Sequence, residues 1–473
     1  MSKKSLFRGL TIVSTFLLSA SIVSANVMEF YRDGMDQTFK TVSSKIVTEE
    51  SENAEDAWNY DSQFKSAKDA FEGYKEFGLR SSEETAVLLK NKDKALPLTE
   101  STPKVTMLGL RSYAAVYGNS GGSIADKASI DSGNTITEAF QKSGFELNPK
   151  TLAAYKKYCE DLTWGGNGFG AIPPEYKEIT TTTNIPELSP TELRGLASDY
   201  DEDYASYGDA AIVVVGRPAG EGKNYNDGAK GLDDGLHTTT GNIMGLSDDE
   251  MAIINEAKKG KADGKFKKVI VLINATNAME FKNLSNDDSI DAIMWVGHPG
   301  VYGFYSVAKM LKGEVNPSAY LGDIYPTNNS DSPSMQNFGN IPWADPEDFT
   351  SADNVNSYLV EAEGIYTGYR YYETRYADIV AGVNNAATAK AGTYVNSDGT
   401  LATADGTWKY ADEVNYPFGY GLSYTTFKTT LDDLQIMGNK KSGTAKVTVE
   451  NTGDVAGKKA IQLYASVPYT TYD

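Results

Sequence analysis

The chain has 473 residues, 40% hydrophobic and 23% charged, with a formal net charge of −20. That length accommodates two or three domains with a sizeable core, and the composition is that of an ordinary globular protein. The negative charge excludes nucleic acid and anionic lipid surfaces as partners, since both would repel it; one cysteine, Cys159, and two histidines, His237 and His298, exclude an internal disulfide and a Cys/His metal cluster.

In chain order, "MSKKSLFRGL" carries Lys3, Lys4 and Arg8 ahead of the apolar run "TIVSTFLLSASIVSANV". Val23 and Ala25 fit the small-residue pattern of a signal peptidase site, and the run also approaches bilayer-spanning length. Residues 1–27 therefore read as a signal peptide or a retained N-terminal membrane anchor, and the chain as an exported, extracellular or cell-surface protein. A lone cysteine behind an export signal points to a bacterium that does not rely on disulfides outside the cell. Residues 28–80 are acidic and polar, a spacer with short helices. "SSEETAVLLKNKDKALPL" from Ser81 then predicts a helix whose apolar end, Val87 to Leu89, leads to a turn before Leu96.

Four apolar runs follow, "KVTMLGL" (104–110), "AAIVVVGR" (210–217), "KVIVLINA" (268–275) and "DAIMWVGH" (291–298), each suited to a buried parallel strand. Helical segments lie between them. Cys159 in "LAAYKKYCEDL" reads as a buried helix residue, and "LSDDEMAIINEAKKG" has Ser247 and Glu250 as a capping box with Gly260 as a C-cap. Alternating strands and helices predict an α/β layered sandwich with a mostly parallel sheet. Beyond Pro326 the chain is turn-rich and carries "EAEGIYTGYRYYETRY" (361–376) and "YPFGYGLSYTTF" (416–427), whose alternating Phe418, Tyr420, Leu422 and Tyr424 read as packed core. From Thr429, "TLDDLQIMG", "GTAKVTVENTG" and "KKAIQLYASVPY" alternate apolar and polar residues as β-sandwich strands do. Three such strands precede Asp473 where a sandwich needs about seven, so this all-β domain is expected to be partial.

The stretch "AIVVVGRPAGEGKNYNDG" places a carboxylate, Glu221, between Gly220 and Gly222 just past the carboxyl end of a buried strand. Ligands of parallel sheets sit in that zone. The glycine spacing, G-x-x-x-G-x-G from Gly216, is not the G-x-G-x-x-G of a dinucleotide site, and no P-loop lysine stands in the required place. From the spacing alone, a solvated acid on a surface turn and a functional carboxyl both remain open. The functional reading is glycoside hydrolysis, in which one carboxyl protonates the leaving oxygen and a second attacks or activates water. Flanking glycines let the backbone approach a sugar without steric cost.

"AVLLKNKDKALPL", "YGNSGGS", "AAIVVVGRPAGEG", "KVIVLINATNAMEF", "WVGHPGVYGFYSVAKMLKGEVNPSAYLGDIYP", "GIYTGYRYYETRY" and "YPFGYGLSYTTF" stand here in an order and spacing that resemble glycoside hydrolase family 3, the β-glucosidase and β-xylosidase family. The resemblance runs from about Ser81 to the chain end. It implies a family C-terminal-type α/β sandwich domain over residues 81–428, followed by an incomplete fibronectin type III-like domain over 429–473. It also implies a retaining β-glucosidase acting on β-linked oligosaccharides without metal or organic cofactor, with Glu221 as the acid/base. Asn224 holds a place where the family commonly has an aspartate, and is, like Arg217, a candidate substrate contact; Arg217 is equally suited to bracing the loop. "YGNSGGS" around Ser123 is expected to shape a neighbouring loop. The aspartate nucleophile of the family lies in a (β/α)8 barrel, and no matching motif is present here; "ASDY" at 197–200 does not match. The resemblance thus implies the reversed domain order, with the barrel as a partner in cis. The rival readings are a non-catalytic carbohydrate-binding module and a nucleotide-binding α/β protein.

Overall fold

Each of the four apolar runs is too hydrophobic to leave either face in water, so each forms a strand covered on both sides. The computed structural model describes residues 3–30, 63–118, 133–160, 187–217, 219, 244–336, 341–342, 357–358, 360–361, 363–377, 393–395, 401–403, 409–438 and 442–464. The chain divides into two units, Met1–Ser66 and Ala67–Asp473. In the first, helix α1 (Lys3–Phe30) exposes Phe7, Ile12 and Phe16. Among the described residues no helix is long and apolar enough to cross a membrane.

The second unit begins with α2 (Ala67–Ser82), so the last turns of the expected spacer belong to it. It contains a six-stranded sheet in the order β1-β6-β5-β4-β2-β3: β1 is Val87–Asn91, β2 Lys104–Leu108, β3 Glu146–Leu147, β4 Ala210–Arg217, β5 Val269–Ala275 and β6 Ala292–Trp295. Strands β3, β2, β4, β5 and β6 are mutually parallel. Alternation along the strands divides the core in two. Met107, Ile212, Val214 and Leu272 point to one layer, with Phe140 of α3 (Ile136–Lys142) and Phe304 and Met310 of α7 (Gly303–Leu311). Leu108, Val213, Val215 and Ile273 point to the other. There they meet Tyr155 of α4 (Pro149–Glu160), Leu193 of α5 (Pro190–Leu196) and Ile253 and Ile254 of α6 (Asp248–Ala262). This is the layered α/β architecture that strand–helix alternation predicts. Cys159 lies on α4, half-buried against the second layer.

Two expectations are corrected. Val87 to Leu89 do not end a helix; they form β1, an edge strand antiparallel to β6 with Val87 opposite Trp295 and Leu88 opposite Met294. Val87, Leu88 and Leu89 are all buried, and a register irregularity between Leu88 and Lys90 accommodates the extra residue. A short apolar run buried on both sides has the same pattern as a buried helix end, so periodicity could not separate them. Nor is Gly260 a C-cap. Helix α6 continues to Ala262, and the glycine just beyond its cap is Gly264, at φ +74°. Gly260 is glycine because the Phe266 ring occupies the space: a Cβ there would lie 2.4 Å from Cε2.

"YPFGYGLSYTTF" straps the free edge of the sheet. The Leu422 amide donates to the Leu88 carbonyl (2.8 Å) and the Tyr420 hydroxyl to the Leu89 carbonyl (3.2 Å). The Tyr424 hydroxyl donates to the carbonyl of Met310 on α7 (2.8 Å), and Phe418 stacks on Tyr369 with centroids 4.3 Å apart. An edge strand covered in this way offers no template to another chain. Beyond it Phe427–Ile436 and Gly443–Asn451 pair as an antiparallel hairpin, as the alternation in those two segments predicts. The third expected strand takes no strand pairing over its described residues 458–464, where Leu463 is 80% exposed.

Replacing Tyr420 by Ala removes both its packing beside Tyr416 (4.9 Å between centroids) and the hydrogen bond to β1. The expected loss is about 3 kcal/mol, against about 1 kcal/mol for Tyr420→Phe, in urea unfolding of the 473-residue protein. Equal losses in the two variants would mean that the ring does not close the edge.

Candidate functional site

Parallel strands point their carboxyl ends the same way, and here the stretches after Leu108 and Trp295 meet the ends of the strands that finish at Arg217 and Ala275. Asn274, the one polar side chain in the buried run "VIVLINA", joins two of these stretches. Its Oδ1 accepts from the Val116 amide (2.7 Å), and its Nδ2 donates to the carbonyls of Val116 (2.9 Å) and Gly297 (2.7 Å). Gly109 begins the first stretch at φ +85°, and a Cβ there would sit 2.5 Å from the Val214 carbonyl oxygen, so the close approach to β4 requires glycine. Its amide donates to the buried hydroxyl of Tyr155 (2.7 Å).

Arg217, the last residue of β4, is 1% exposed. Its Nη1 and Nη2 donate to Oε1 (2.6 Å) and Oε2 (2.8 Å) of Glu250, which is 2% exposed. Nη2 also donates to the Gly245 carbonyl (2.6 Å), and Nη1 to that of Gly216 (2.8 Å). Glu250 is simultaneously the third residue of α6. Its Oε2 accepts from the Ser247 amide (2.9 Å) while the Ser247 hydroxyl accepts from the Glu250 amide (3.1 Å), completing the predicted capping box. One carboxylate therefore caps α6 and neutralises the guanidinium at the exit of β4. Because Gly245 stands where the chain returns toward α6, the same guanidinium ties together both ends of the connection between β4 and α6. The Arg217 carbonyl is held as well, by Nε2 of His298 (2.9 Å), which must carry the proton since a carbonyl only accepts.

Burial pushes the His298 imidazole down to about 4; nearby Arg111 adds to this, and the bond to the Arg217 carbonyl opposes it. Glu187 shows the opposite behaviour. Burial raises its carboxyl to about 8, against the amides of Leu188 and Leu110 that donate to it (2.8 and 2.9 Å). Burial thus holds one imidazole below and one carboxyl above its ordinary range in this part of the domain. Among the described residues no group of three His, Cys, Asp or Glu side chains could hold a metal ion.

Of the residues singled out in the sequence, Arg217 stands at this edge with its guanidinium engaged by Glu250, Gly245 and Gly216. Glu221, Asn224, Ser123 and His237 lie outside the described residues. His298, noted in the sequence only for what too few histidines exclude, is here a contact of Arg217. Asn274 carried a signal that was not used, a lone amide in an otherwise apolar strand; Glu187 carried none.

Two measurements probe the edge. Glu250→Gln leaves a buried guanidinium without its counter-charge, and the 473-residue protein should lose about 3 to 5 kcal/mol in urea unfolding. A loss below about 1 kcal/mol would show that the pair carries little. For His298, the native state stays neutral down to about 4 while an ordinary histidine protonates near 6.5. Between those values the unfolded chain binds more protons, so the His298 contribution is present above 6.5 and is lost as pH falls toward 4. The pH dependence of the wild-type midpoint minus that of His298→Gln should slope upward across this window and be flat above it; a flat difference throughout would contradict a neutral His298.

Comparison with known proteins places this edge in a family. The chain is 28% identical over 400 residues to a beta-glucosidase of Ruminococcus albus, covering 84% of this chain and 32% of that protein. It is 27% identical over 409 residues to beta-glucosidase A of Butyrivibrio fibrisolvens, covering 81% and 40%. The chain thus spans about a third to two-fifths of the length of these relatives. The structure of beta-glucosidase 3B from Thermotoga neapolitana in complex with glucose shares the fold, with a TM-score of 0.52 at 24% identity over 81% of this chain and 42% of that one. The family model for the glycosyl hydrolase family 3 C-terminal domain matches residues 86–424, which include the whole of the Arg217–Glu250 edge. The chain belongs to glycosyl hydrolase family 3 and contains its C-terminal α/β domain.

Proposed function

We propose that this chain supplies the acid/base half of a retaining β-glucosidase acting on β-linked oligosaccharides. The observation that carries this reading is the root of the loop. Four residues before Glu221, both the side chain and the carbonyl of Arg217 are fixed at the carboxyl edge of a family 3 α/β domain. The names of the relatives, beta-glucosidases from two bacteria, support the substrate class. Glu221 protonates the glycosidic oxygen as the bond to the anomeric carbon breaks, then removes a proton from the water that releases the glycosyl-enzyme. Asn224 lies within reach in sequence to hydrogen-bond a sugar hydroxyl. The role of Arg217 in this scheme is to hold the loop root, since Glu250 already occupies its fork.

The nucleophilic carboxylate comes, on this reading, from a barrel domain in cis that follows a fibronectin type III-like domain begun by the Phe427–Asn451 hairpin. The leader "MSKKSLFRGLTIVSTFLLSASIVSANV" directs export, as a cleaved signal or a retained anchor.

In a gene product containing both this chain and the barrel, Glu221→Gln should slow cellobiose hydrolysis by about 100-fold or more. Aryl glucosides with good leaving groups should keep their first step, and azide should restore their turnover, because an anion needs no base. Cellobiose rates within about threefold of wild type would remove Glu221 from the acid role and favour the carbohydrate-binding reading. The 473-residue protein by itself should not turn over aryl-β-glucosides, since retention needs a second carboxyl about 5–5.5 Å from the first. Turnover by it, abolished by a substitution within it, would place the nucleophile in this chain.

A further inference from the structure

On the layer away from the Arg217–Glu250 pair, α2 and α3 flank α7. Ser82 and Ser306 share a hydrogen bond (2.7 Å), the Ser306 hydroxyl donates to the Leu79 carbonyl (3.0 Å), and Lys309 pairs with Glu83 (2.9 Å). At Gly78 the missing side chain admits Tyr302, which would lie 3.3 Å from a Cβ there. On the other flank the Tyr305 hydroxyl donates toward the Gly133 carbonyl and Asn134 Oδ1, both at 3.1 Å. The three helices leave a cavity of about 410 Å³ between them.

Its lining has a definite chemical character. Phe71, Tyr302 and Tyr305, with Leu79 beneath them, supply ring faces and apolar wall; Asn134 supplies an amide; Lys75 and Lys142 supply the charges among the described residues. Among the described residues no carboxylate lines it. Tyr302 is nearly fully buried and braced edge-on by Tyr74 at 6.4 Å, so this wall is preformed. Lys142 donates to the Gly133 carbonyl, which places its ammonium beside Asn134 and leaves two of its three protons to point elsewhere. Phe71, in contrast, leaves its ring 52% exposed at the rim.

We propose that this cavity binds a carboxylate-bearing sugar ring. The volume is in the range of small-ligand sites, roughly 300–1,000 Å³. The apolar C–H face of a pyranose lies against the aromatic walls, its hydroxyls meet the Asn134 amide and the Tyr305 hydroxyl, and its carboxylate pairs with the two ammoniums. A cationic ligand is disfavoured by both lysines, and a neutral sugar forgoes their attraction. The site is on a different layer from the Arg217–Glu250 pair and does not depend on the β-glucosidase reading.

The test is isothermal titration of the 473-residue protein with glucuronate, a galacturonate oligosaccharide, glucose and acetate. A uronate should saturate one site, with glucose and acetate at least about tenfold weaker. Tighter binding of the monomer identifies a free uronic acid as the ligand, and tighter binding of the oligosaccharide a ring carried on a chain. The double variant Lys75→Ala/Lys142→Ala should lose at least about tenfold in uronate affinity, and Phe71→Ala at least about threefold. All three side chains are exposed, so thermal midpoints should stay near wild type and certify the fold. The proposal fails if neither uronate saturates, if glucose or acetate binds as tightly, or if the double variant binds uronate unchanged.

Discussion

The Glu250 carboxylate is asked to do two things, and the geometry of the strand-exit edge follows from its doing both. As the third residue of α6 it closes the capping box with Ser247 and so defines where that helix begins. As the fork partner of Arg217 it defines where β4 ends and how the chain leaves it. A buried ion pair gains little over a hydrophobic substitute, because desolvating two charges offsets most of their attraction. What it provides is geometric: the guanidinium is a rigid planar fork, and its two terminal nitrogens make four hydrogen bonds, two to Glu250 and one each to Gly245 and Gly216. Removing any one of those acceptors would leave a buried donor unmatched.

The surrounding edge extends the same logic without charge. Asn274 matches its amide to three backbone groups from two different loops, and His298 donates to the carbonyl of Arg217 while remaining a neutral imidazole. Glu187, whose carboxyl burial raises to about 8, adds a second shifted group to this part of the domain.

Strand edges explain the rest of the second unit. The parallel sheet is covered on both faces by helices, which is why its central strands are almost wholly apolar. Its β1 edge is covered by the aromatic strap from Tyr416 to Tyr424, whose tyrosines bury rings while their hydroxyls meet backbone carbonyls of β1 and α7. The hairpin that follows has no such cover: Leu431, Leu434 and Ile436 are exposed on it.

Much of this was legible in the sequence. Unbroken β-branched runs at 210–217 and 268–275 have one stable fate in a globular domain, and Ser247 with Glu250 three residues on specifies a helix start through purely local hydrogen bonds. The position of Glu221 just past a strand and between two glycines is likewise a local property, as are the motifs whose order carries the family resemblance. Residues 87–91 were misread because burial on both faces erases the period that distinguishes strand from helix, and only pairing with β6 decides between them. Gly260 was misread because a glycine demanded by a neighbouring ring looks the same as one demanded by a positive φ. The second task of Glu250, the three partners of Asn274 and the burial of Glu187 could not be read at all. They depend on groups that meet across 23 to 158 positions of chain, and such meetings exist only once the layers have packed. Sequence by itself determined the four central strands and the Ser247–Glu250 cap; the tertiary structure decided the edge strand and which polar groups are buried together, because desolvation makes their pairing obligatory only after the water has gone.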